Sequence, residues 1–334
     1  MIFIGNKLSS SLNIIFAGTP DFAAHHLAAL LDTEHNIVAV YCPPDKPAGR
    51  GKKLTSCATK QLALAHNIAV EQPHNLKNEA DQKKLSEYHA DIMVVVAYGV
   101  LLPEPVLATP RLGCINVHGS LLPEWRGAAP IQRSLEKGDV QTGVTIMQMD
   151  KGLDTGDMIL TADCAIEVTD TSATLYDKLA KLGPKALIKA LTLMAQPSYK
   201  PTEYNIPQNN ERATYAHKLS KDEAELDWQL TASQLNRKIR AYIPWPVAHF
   251  TFTESDKKQH KIRVLESNVT PYSGEAPIGT IIECSKLGVT VVTGQEALKI
   301  KTMQLPGKKA LSVQDILNGR SAWFSVGSHI NKLS

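Results

Sequence analysis

The segment from Cys114 to Pro130 reads Cys-Ile-Asn-Val-His-Gly-Ser-Leu-Leu-Pro-Glu-Trp-Arg-Gly-Ala-Ala-Pro. Asn116 and His118 alternate with Ile115 and Val117, so on a strand both polar side chains point to one face. Asn is disfavoured inside strands and a buried imidazole must be hydrogen-bonded, so the pairing is costly unless it has a use. A second polar segment, Asp150-Lys-Gly-Leu-Asp-Thr-Gly-Asp157, follows the strand-like Val144 to Met149. Its glycines permit a tight loop, and its carboxylates could reach a histidine on a neighbouring strand, a pairing suited to proton transfer near neutrality. The plainer alternatives are a satisfied polar pair at a strand end and an ordinary acidic turn, and the residues by themselves leave these open.

Other motifs fail. Gly18-Thr-Pro-Asp-Phe lacks the second and third glycines of a dinucleotide fingerprint, and Pro20 can simply start a helix. Gly51-Lys52 has no glycine five residues before Gly51, so the Pro44–Leu54 stretch is not a P-loop. Ser120 is flanked by His118 and Leu122 where a nucleophile elbow needs glycines. His25 and His26 are adjacent on a helix and diverge, which argues against a metal site.

The elements that must position these residues follow from apolar periodicity. Ile14 to Gly18, Ile37 to Cys42, Ile92 to Ala97 and Cys114 to His118 are predicted strands. Helical patterns lie between them: Ala23, Leu27, Leu30 and Leu31 share one face, and Lys60 to His66 and Ala80 to His89 are similar. Doubly buried strands separated by helices predict an α/β fold with a parallel, Rossmann-like sheet, whose ligands bind beyond the carboxyl ends of the strands. A helical region from Ser172 to Met194, broken near Gly183-Pro184, closes this domain. Three prolines between Gln196 and Asn210 suit a linker. Beyond it, Glu223 to Tyr242 is predicted helical. Short strands at His249–Thr253, Lys261–Leu265, Val289–Thr293 and Leu298–Thr302 then predict a small β-barrel. Ser312 to Asp315 caps a final helix that runs to Gly319. The expected division is therefore a domain over 13–195, a linker over 196–210 and a second domain over 211–334.

A chain of 334 residues suits two cores, since compact domains usually hold about 100 to 200 residues. Its five cysteines are odd in number and contain no CxxC, so neither a disulfide framework nor a zinc site is suggested. No run approaches the roughly 18 consecutive apolar residues of a membrane span, and a cytoplasmic location is expected. From Pro207 onward there are 17 Lys and Arg against 12 Asp and Glu, net +5, which leaves the remainder at −2. The basic excess is confined to the C-terminal third, and a solvated surface explains it about as well as RNA does.

Taken together, several motifs resemble the methionyl-tRNA formyltransferase family. They are Phe16-Ala-Gly-Thr-Pro-Asp-Phe-Ala23, Pro44-Asp-Lys-Pro-Ala-Gly-Arg-Gly-Lys-Lys-Leu54, Ile115 to Pro130 and Met149-Asp-Lys-Gly-Leu-Asp-Thr-Gly156. The likeness continues through Leu219-Ser-Lys221, Pro244-Trp-Pro246 and Leu305-Pro-Gly-Lys-Lys-Ala310 to Trp323-Phe324. It implies a Rossmann-like formyltransferase domain followed by an OB-like C-terminal barrel, with Asn116, His118 and Asp154 catalytic. Ser120, Leu121, Leu122 and Pro123 would line the folate pocket. Lys46, Arg50, Lys52 and Lys53 would enter the acceptor end of methionyl-initiator tRNA while the basic barrel holds its backbone. The implied donor is 10-formyltetrahydrofolate, with no metal, and a monomer is expected. Ile243 departs from the more usual polar residue before Pro-Trp-Pro.

Two other readings share parts of this pattern. A sugar-nucleotide or glycinamide ribonucleotide formyltransferase would share Asn116, His118 and Asp154, though the Arg-Gly-Lys-Lys loop and the Pro-Trp-Pro domain count against it. A non-catalytic RNA-binding protein on the same fold is the other, and the intact catalytic set counts against that.

Overall fold

A computed structural model describes residues 11–48, 53–254, 258–320 and 323–330. In chain order its first half comprises β1 (Asn13–Gly18), α1 (Asp21–Leu31), β2 (Asn36–Tyr41), β3 (Lys46–Ala48), β4 (Lys53–Thr55), α2 (Ala58–Ala65), β5 (Val70–Glu71), α3 (Glu79–Glu87), β6 (Ile92–Val96), α4 (Glu104–Leu107) and β7 (Cys114–His118). There follow β8 (Arg126–Gly127), α5 (Pro130–Lys137), β9 (Gln141–Gln148), β10 (Met158–Ala165), α6 (Ser172–Met194) and α7 (Pro201–Tyr204).

Seven of these strands form one sheet in the order β10-β9-β7-β6-β1-β2-β5. The pairings from β7 through β6, β1 and β2 to β5 are parallel. Every residue of β6 is buried, as are Ile14 to Gly18 of β1, which is why these strands read as unbroken apolar runs. Ile15, Ala17, Ala39, Tyr41, Met93, Val95 and Cys114 build a core on one face. Each large aliphatic side chain buried there contributes roughly 1.5–3 kcal/mol. Phe22, Ala23, His26, Leu27 and Leu30 of α1 are buried as well.

Three departures from the sequence expectations have physical causes. The sheet is not wholly parallel: β9 runs antiparallel to β7, and an alternating or apolar pattern carries no record of strand direction. α6 is continuous through Gly183-Pro184. A Cβ at Gly183 would lie 2.3 Å from His26 Nε2, so tertiary packing of α1 requires glycine there and outweighs the lost proline N–H. Glu223 to Tyr242 is not one helix. Leu226 N donates to His249 O at 2.8 Å, which holds the chain extended, and α8 (Ala232–Ala241) begins only at a capping box on Thr231 and Gln234.

The chain divides into two compact units. One comprises the part up to Pro130 with Gln141–Cys164 and Tyr176–Ala216; the other comprises Ile131–Val140, Ala165–Leu175 and the part from His217 on. In the first, the 196–210 segment is tied down: Ile206 bridges Met158, and its N–H donates to Met158 O at 2.8 Å. After β11 (Tyr215–Ala216), the second unit holds β12 (His249–Thr253), β13 (Gln259–Thr270), β14 (Ile281–Ser285), β15 (Gly288–Val292), β16 (Ala297–Gln304), β17 (Ala310–Ser312) and α9 (Val313–Arg320). Its antiparallel sheet has the order β12-β13-β16-β15-β14, with β17 on β16, and curls as a half-barrel. The register of β13 against β16 shifts at Val264 to Ser267, as curling requires. Ile262, Val264, Val289, Val291, Leu298 and Ile300 fill the core together with Trp228, Leu235 and Ile239. Asp315 N donates to Ser312 Oγ at 3.2 Å, the expected cap of α9.

Candidate active site

Asn116 and His118 share one face of β7. Asn116 is half-buried in mid-strand, opposite Val95 of β6 and Met147 of β9, and His118 ends the strand opposite Thr145. His118 is only 5% exposed. Its Nε2 lies 2.9 Å from the Trp125 carbonyl. A carbonyl can only accept, so Nε2 carries a proton and Nδ1 is the nitrogen left to gain or lose one. That nitrogen lies 3.7 Å from Asp154 Oδ2, beyond hydrogen-bond length but close enough for an ion pair when the ring is charged.

Asp154 is held from several sides. Its Oδ2 accepts from Gly127 N at 2.8 Å, and its own φ of +53° is a conformation that non-glycine residues adopt only when the surroundings enforce it. Gly152 N and Thr155 Oγ1 donate to Asp150 Oδ1 at 2.9 and 2.7 Å, which closes the loop on itself. Gly156 passes so near Gln148 that a Cβ would stand 1.9 Å from its carbonyl oxygen, so no other residue fits. Gln208 Nε2 donates to Asp154 O at 2.9 Å and to Gly156 O at 2.7 Å.

Gln208 is in turn gripped by Arg126. The guanidinium donates to Gln208 Oε1 from Nε at 3.0 Å and from Nη2 at 2.8 Å, and Nη2 also reaches Asn210 Oδ1 at 2.8 Å. Arg126 is 2% exposed, and its neighbours in these bonds are neutral amides. Sequence reasoning missed Gln208, Asn210 and this use of Arg126. The first two lie in the proline-rich stretch expected to be a linker, where no local pattern separates a docked glutamine from a solvated one.

The residues expected to line a folate pocket sit in the loop after β7. Ser120 is fully buried and its Oγ donates to Glu124 O at 2.6 Å. Thr145, which sequence reasoning also missed, donates to Ser120 O at 2.7 Å and accepts from Leu122 N at 3.1 Å. Leu122 is buried, while Leu121 and Pro123 are half-exposed. Thr145 thus fixes the loop to the strand opposite His118.

Of the four basic residues in the 46–53 stretch, Lys46 and Lys53 are exposed on the β3–β4 hairpin, where Lys46 pairs with Thr55 and Ala48 with Lys53. Arg50 and Lys52 lie outside the described residues. In the second unit Lys221, Lys261 and Arg263 line a cavity of about 270 Å³ with Trp245, Pro246 and His249. Trp245 is 48% exposed, and burial and neighbouring cations push the His249 imidazole down to about 4. Among the described residues, no His, Cys, Asp and Glu group is gathered as a metal site, and no helix is long and apolar enough to cross a membrane.

Residues 12–191 match the formyl transferase family and residues 218–321 match the formyl transferase C-terminal domain. The chain is 70% identical over 322 residues to a methionyl-tRNA formyltransferase of Colwellia psychrerythraea strain 34H, covering 96% of this chain and 98% of that one. In fold it resembles an N-formyltransferase of Helicobacter canadensis, solved with folinic acid and dTDP-3-aminofucose (TM-score 0.64, 18% identity, 86% of this chain and 99% of that one). It also resembles HypX of Aquifex aeolicus in complex with tetrahydrofolic acid (TM-score 0.60, 15% identity); there it covers 92% of its own length and spans about half, 47%, of the HypX chain. With both modules matched and the polar face of β7 in place, the chain belongs to the formyl transferase family, and within it to the methionyl-tRNA formyltransferases.

Proposed function

We propose that this enzyme transfers the formyl group of 10-formyltetrahydrofolate to the α-amino group of methionyl-initiator tRNA, giving formylmethionyl-tRNA for translation initiation. The observation that carries this reading is identity sustained at 70% across 96% of the chain, including the C-terminal module. The site supports it chemically. When the amine attacks the formyl carbon, negative charge grows on the formyl oxygen, and the Asn116 amide and the charged His118 ring are the donors on the open face of β7. The ammonium must first lose a proton and the departing folate nitrogen must gain one. His118 Nδ1, with Asp154 3.7 Å away, is the exchangeable position, and that gap suits relay through a water. Asp154 orients the ring from the side of Nδ1, while Ser120, Leu121, Leu122 and Pro123 seat the folate. Formyl transfer starts from an activated donor, so positioning supplies much of the rate.

Lys46, Arg50, Lys52 and Lys53 contact the acceptor end, and the C-terminal half-barrel holds the tRNA backbone. Its basic cavity, in which three cations meet an exposed indole, supports a nucleic-acid role. In this reading residues 13–195 are the catalytic domain, 196–210 connect it, 211–334 bind tRNA, and the protein works as a cytoplasmic monomer. Incubation with 10-formyltetrahydrofolate and Met-tRNA should yield formylmethionine on hydrolysis of the ester. Formylation of an amino-sugar nucleotide or of glycinamide ribonucleotide, with Met-tRNA untouched, would overturn the acceptor assignment while leaving the transfer chemistry.

A further inference from the structure

The segment around β8 carries two backbone groups that meet the catalytic pair. Trp125 O accepts from His118 Nε2 at 2.9 Å, and Gly127 N donates to Asp154 Oδ2 at 2.8 Å. The intervening and following N–H groups turn the other way, onto β11: Arg126 N donates to Thr214 O at 2.9 Å and Ala128 N to Ala216 O at 2.9 Å. With Tyr215 paired to Arg126 and Ala216 to Gly127, β11 backs the strand that touches both His118 and Asp154. Trp125 is its most constrained residue. Its φ of +62° lies in the left-handed region, where a bulky side chain rests only when its surroundings hold it. Thr214 supplies that hold. Its Oγ1 accepts from Trp125 N at 2.9 Å, its carbonyl takes the Arg126 N–H, and its own N–H donates to Pro123 O at 3.4 Å. Of these bonds, the one to Trp125 itself is the one made by a side chain.

The place of the Trp125 carbonyl matters because the neutral His118 ring has one proton and two acceptors beside it. Trp125 O stands 2.9 Å from Nε2, and Asp154 Oδ2 stands 3.7 Å from Nδ1. The hydrogen bond that one ring nitrogen makes decides the protonation of the other. While the carbonyl holds the Nε2 proton, Nδ1 keeps its lone pair on the side of Asp154. Should the carbonyl swing away, the carboxylate becomes the better acceptor and draws the proton to Nδ1. Thr214 is exposed, so water can satisfy Trp125 N in its absence, but water cannot fix the backbone angle that aims the carbonyl.

We propose that Thr214 is a positioning residue for formyl transfer: through Trp125 it keeps the neutral His118 ring protonated on Nε2, and so leaves Nδ1 open to take a proton from the incoming amine. The role in transfer rests on the formylation reading, whereas the tautomer follows from the hydrogen bonds alone. A proton that leaves the substrate ammonium arrives on Nδ1, the positive charge passes to the ring, and the ring later gives a proton to the departing folate nitrogen. With the proton already on Nδ1, the nitrogen beside Asp154 has nothing to accept with, and this exchange stalls. Thr214 itself touches neither substrate, and it acts 96 residues along the chain from the histidine it sets.

The test compares the full chain as wild type, as Thr214→Val, which keeps the shape and removes the acceptor, and as Thr214→Ser, which keeps the acceptor. Thermal melts establish that each is folded, and Thr214→Ala stands in for the valine variant if that one is not. Each protein is made with isotope-labelled histidine, and nitrogen NMR at a pH where the ring is neutral reads which nitrogen carries the proton. The His118 signals are identified by their loss in His118→Gln. Wild type and Thr214→Ser should show Nε2 protonated and Nδ1 bare, and Thr214→Val should show the proton shared with Nδ1 or moved to it. In steady state Thr214→Val should lose about tenfold in kcat with an unchanged KM for 10-formyltetrahydrofolate, and Thr214→Ser should recover most of the rate. An unshifted tautomer in folded Thr214→Val would overturn the proposal whatever happens to kcat, and so would a shifted tautomer with kcat intact. Failure of folded Thr214→Ser to recover the rate would overturn it as well. Absence of formyl transfer to Met-tRNA by the wild type would count against the function reading, and the tautomer, read without substrate, would still decide what Thr214 does to His118.

Discussion

Gln208 donates from one side-chain nitrogen to the Asp154 carbonyl at 2.9 Å and takes two of the three Arg126 guanidinium contacts on its oxygen. A residue 54 positions away thus holds the backbone of the loop that carries the Asp154 carboxylate. Replacing Gln208 by Ala frees the loop without removing any reacting group. The expected result is a fall of about tenfold in kcat with folate binding preserved, since misplacement alone costs that much or more. Steady-state kinetics alongside folate titration measures both. A variant with unchanged kcat would mean that Asp150, Gly127 and Gly156 hold the loop unaided.

His118→Ala and Asp154→Asn should each lower kcat by roughly 10²-fold or more, the usual worth of acid-base and electrostatic groups. Asn116→Asp should be as damaging, because it sets an anion where negative charge develops. Circular dichroism and thermal melts establish that the fold is retained. Near-normal turnover in a folded His118→Ala preparation would remove His118 from the mechanism.

Arg126 is a buried cation whose bonds end on Gln208 and Asn210. Arg126→Met should destabilise the protein by about 1–2 kcal/mol, because the half-buried Gln208 oxygen loses its charged donor while the exposed Asn210 can turn to water. Arg126→Lys should recover only part of this, lacking the planar fork that reaches both acceptors. Urea unfolding of the three proteins reads the difference directly, and equal midpoints would show that water replaces the guanidinium.

His26 is fully buried, donates from Nδ1 to Phe22 O at 2.7 Å, and presents Nε2 without a partner against Gly183. Burial pushes its imidazole down from 6.5 to about 4. The unfolded chain therefore binds a proton at this site between pH 6.5 and 4 that the folded protein refuses. Stability contributed here is fully present above 6.5 and is lost as pH falls toward 4, by up to about 1.4 kcal/mol per pH unit. His26→Leu should flatten the stability profile in that window, measured by urea unfolding at pH 4.5, 5.5 and 7. A profile identical to the wild type would place the acid sensitivity elsewhere.

The combined Arg50→Ala, Lys52→Ala and Lys53→Ala variant should raise the Met-tRNA concentration needed and flatten the salt dependence of tRNA binding by about one unit of slope per lost phosphate contact. Turnover at saturating tRNA should also fall if the hairpin orients the acceptor end. Unaltered kinetics and slope would make these residues a solvated charge run.

What the sequence made legible was local. Asn116 and His118 stand out because alternation along five residues is enough to place two polar groups on one strand face; the glycines of the 150–157 segment read only as permitting a tight loop, and the approach of Gly156 to the Gln148 carbonyl emerges in the fold. The partners that seat them were not legible. Thr145 looks like any β-branched strand residue until register sets it opposite His118, and Gln208 looks like solvent-facing linker. The Gly183-Pro184 break was misjudged for the same reason, since only the arrival of His26 against Gly183 gives that glycine a purpose.

The side-chain bonds around Arg126 join it to Gln208 and Asn210, 82 and 84 residues further along, and Trp125 N reaches Thr214 Oγ1 across 89. Closing loops of that size is slow relative to local helix formation. On the ribosome, a nascent chain could complete the strands from β1 to β7 and present Asn116 and His118 well before Gln208 had left the exit tunnel. The loop that carries Asp154 therefore gains its support from Gln208 only after roughly fifty further residues, counted from Asp154, have been made.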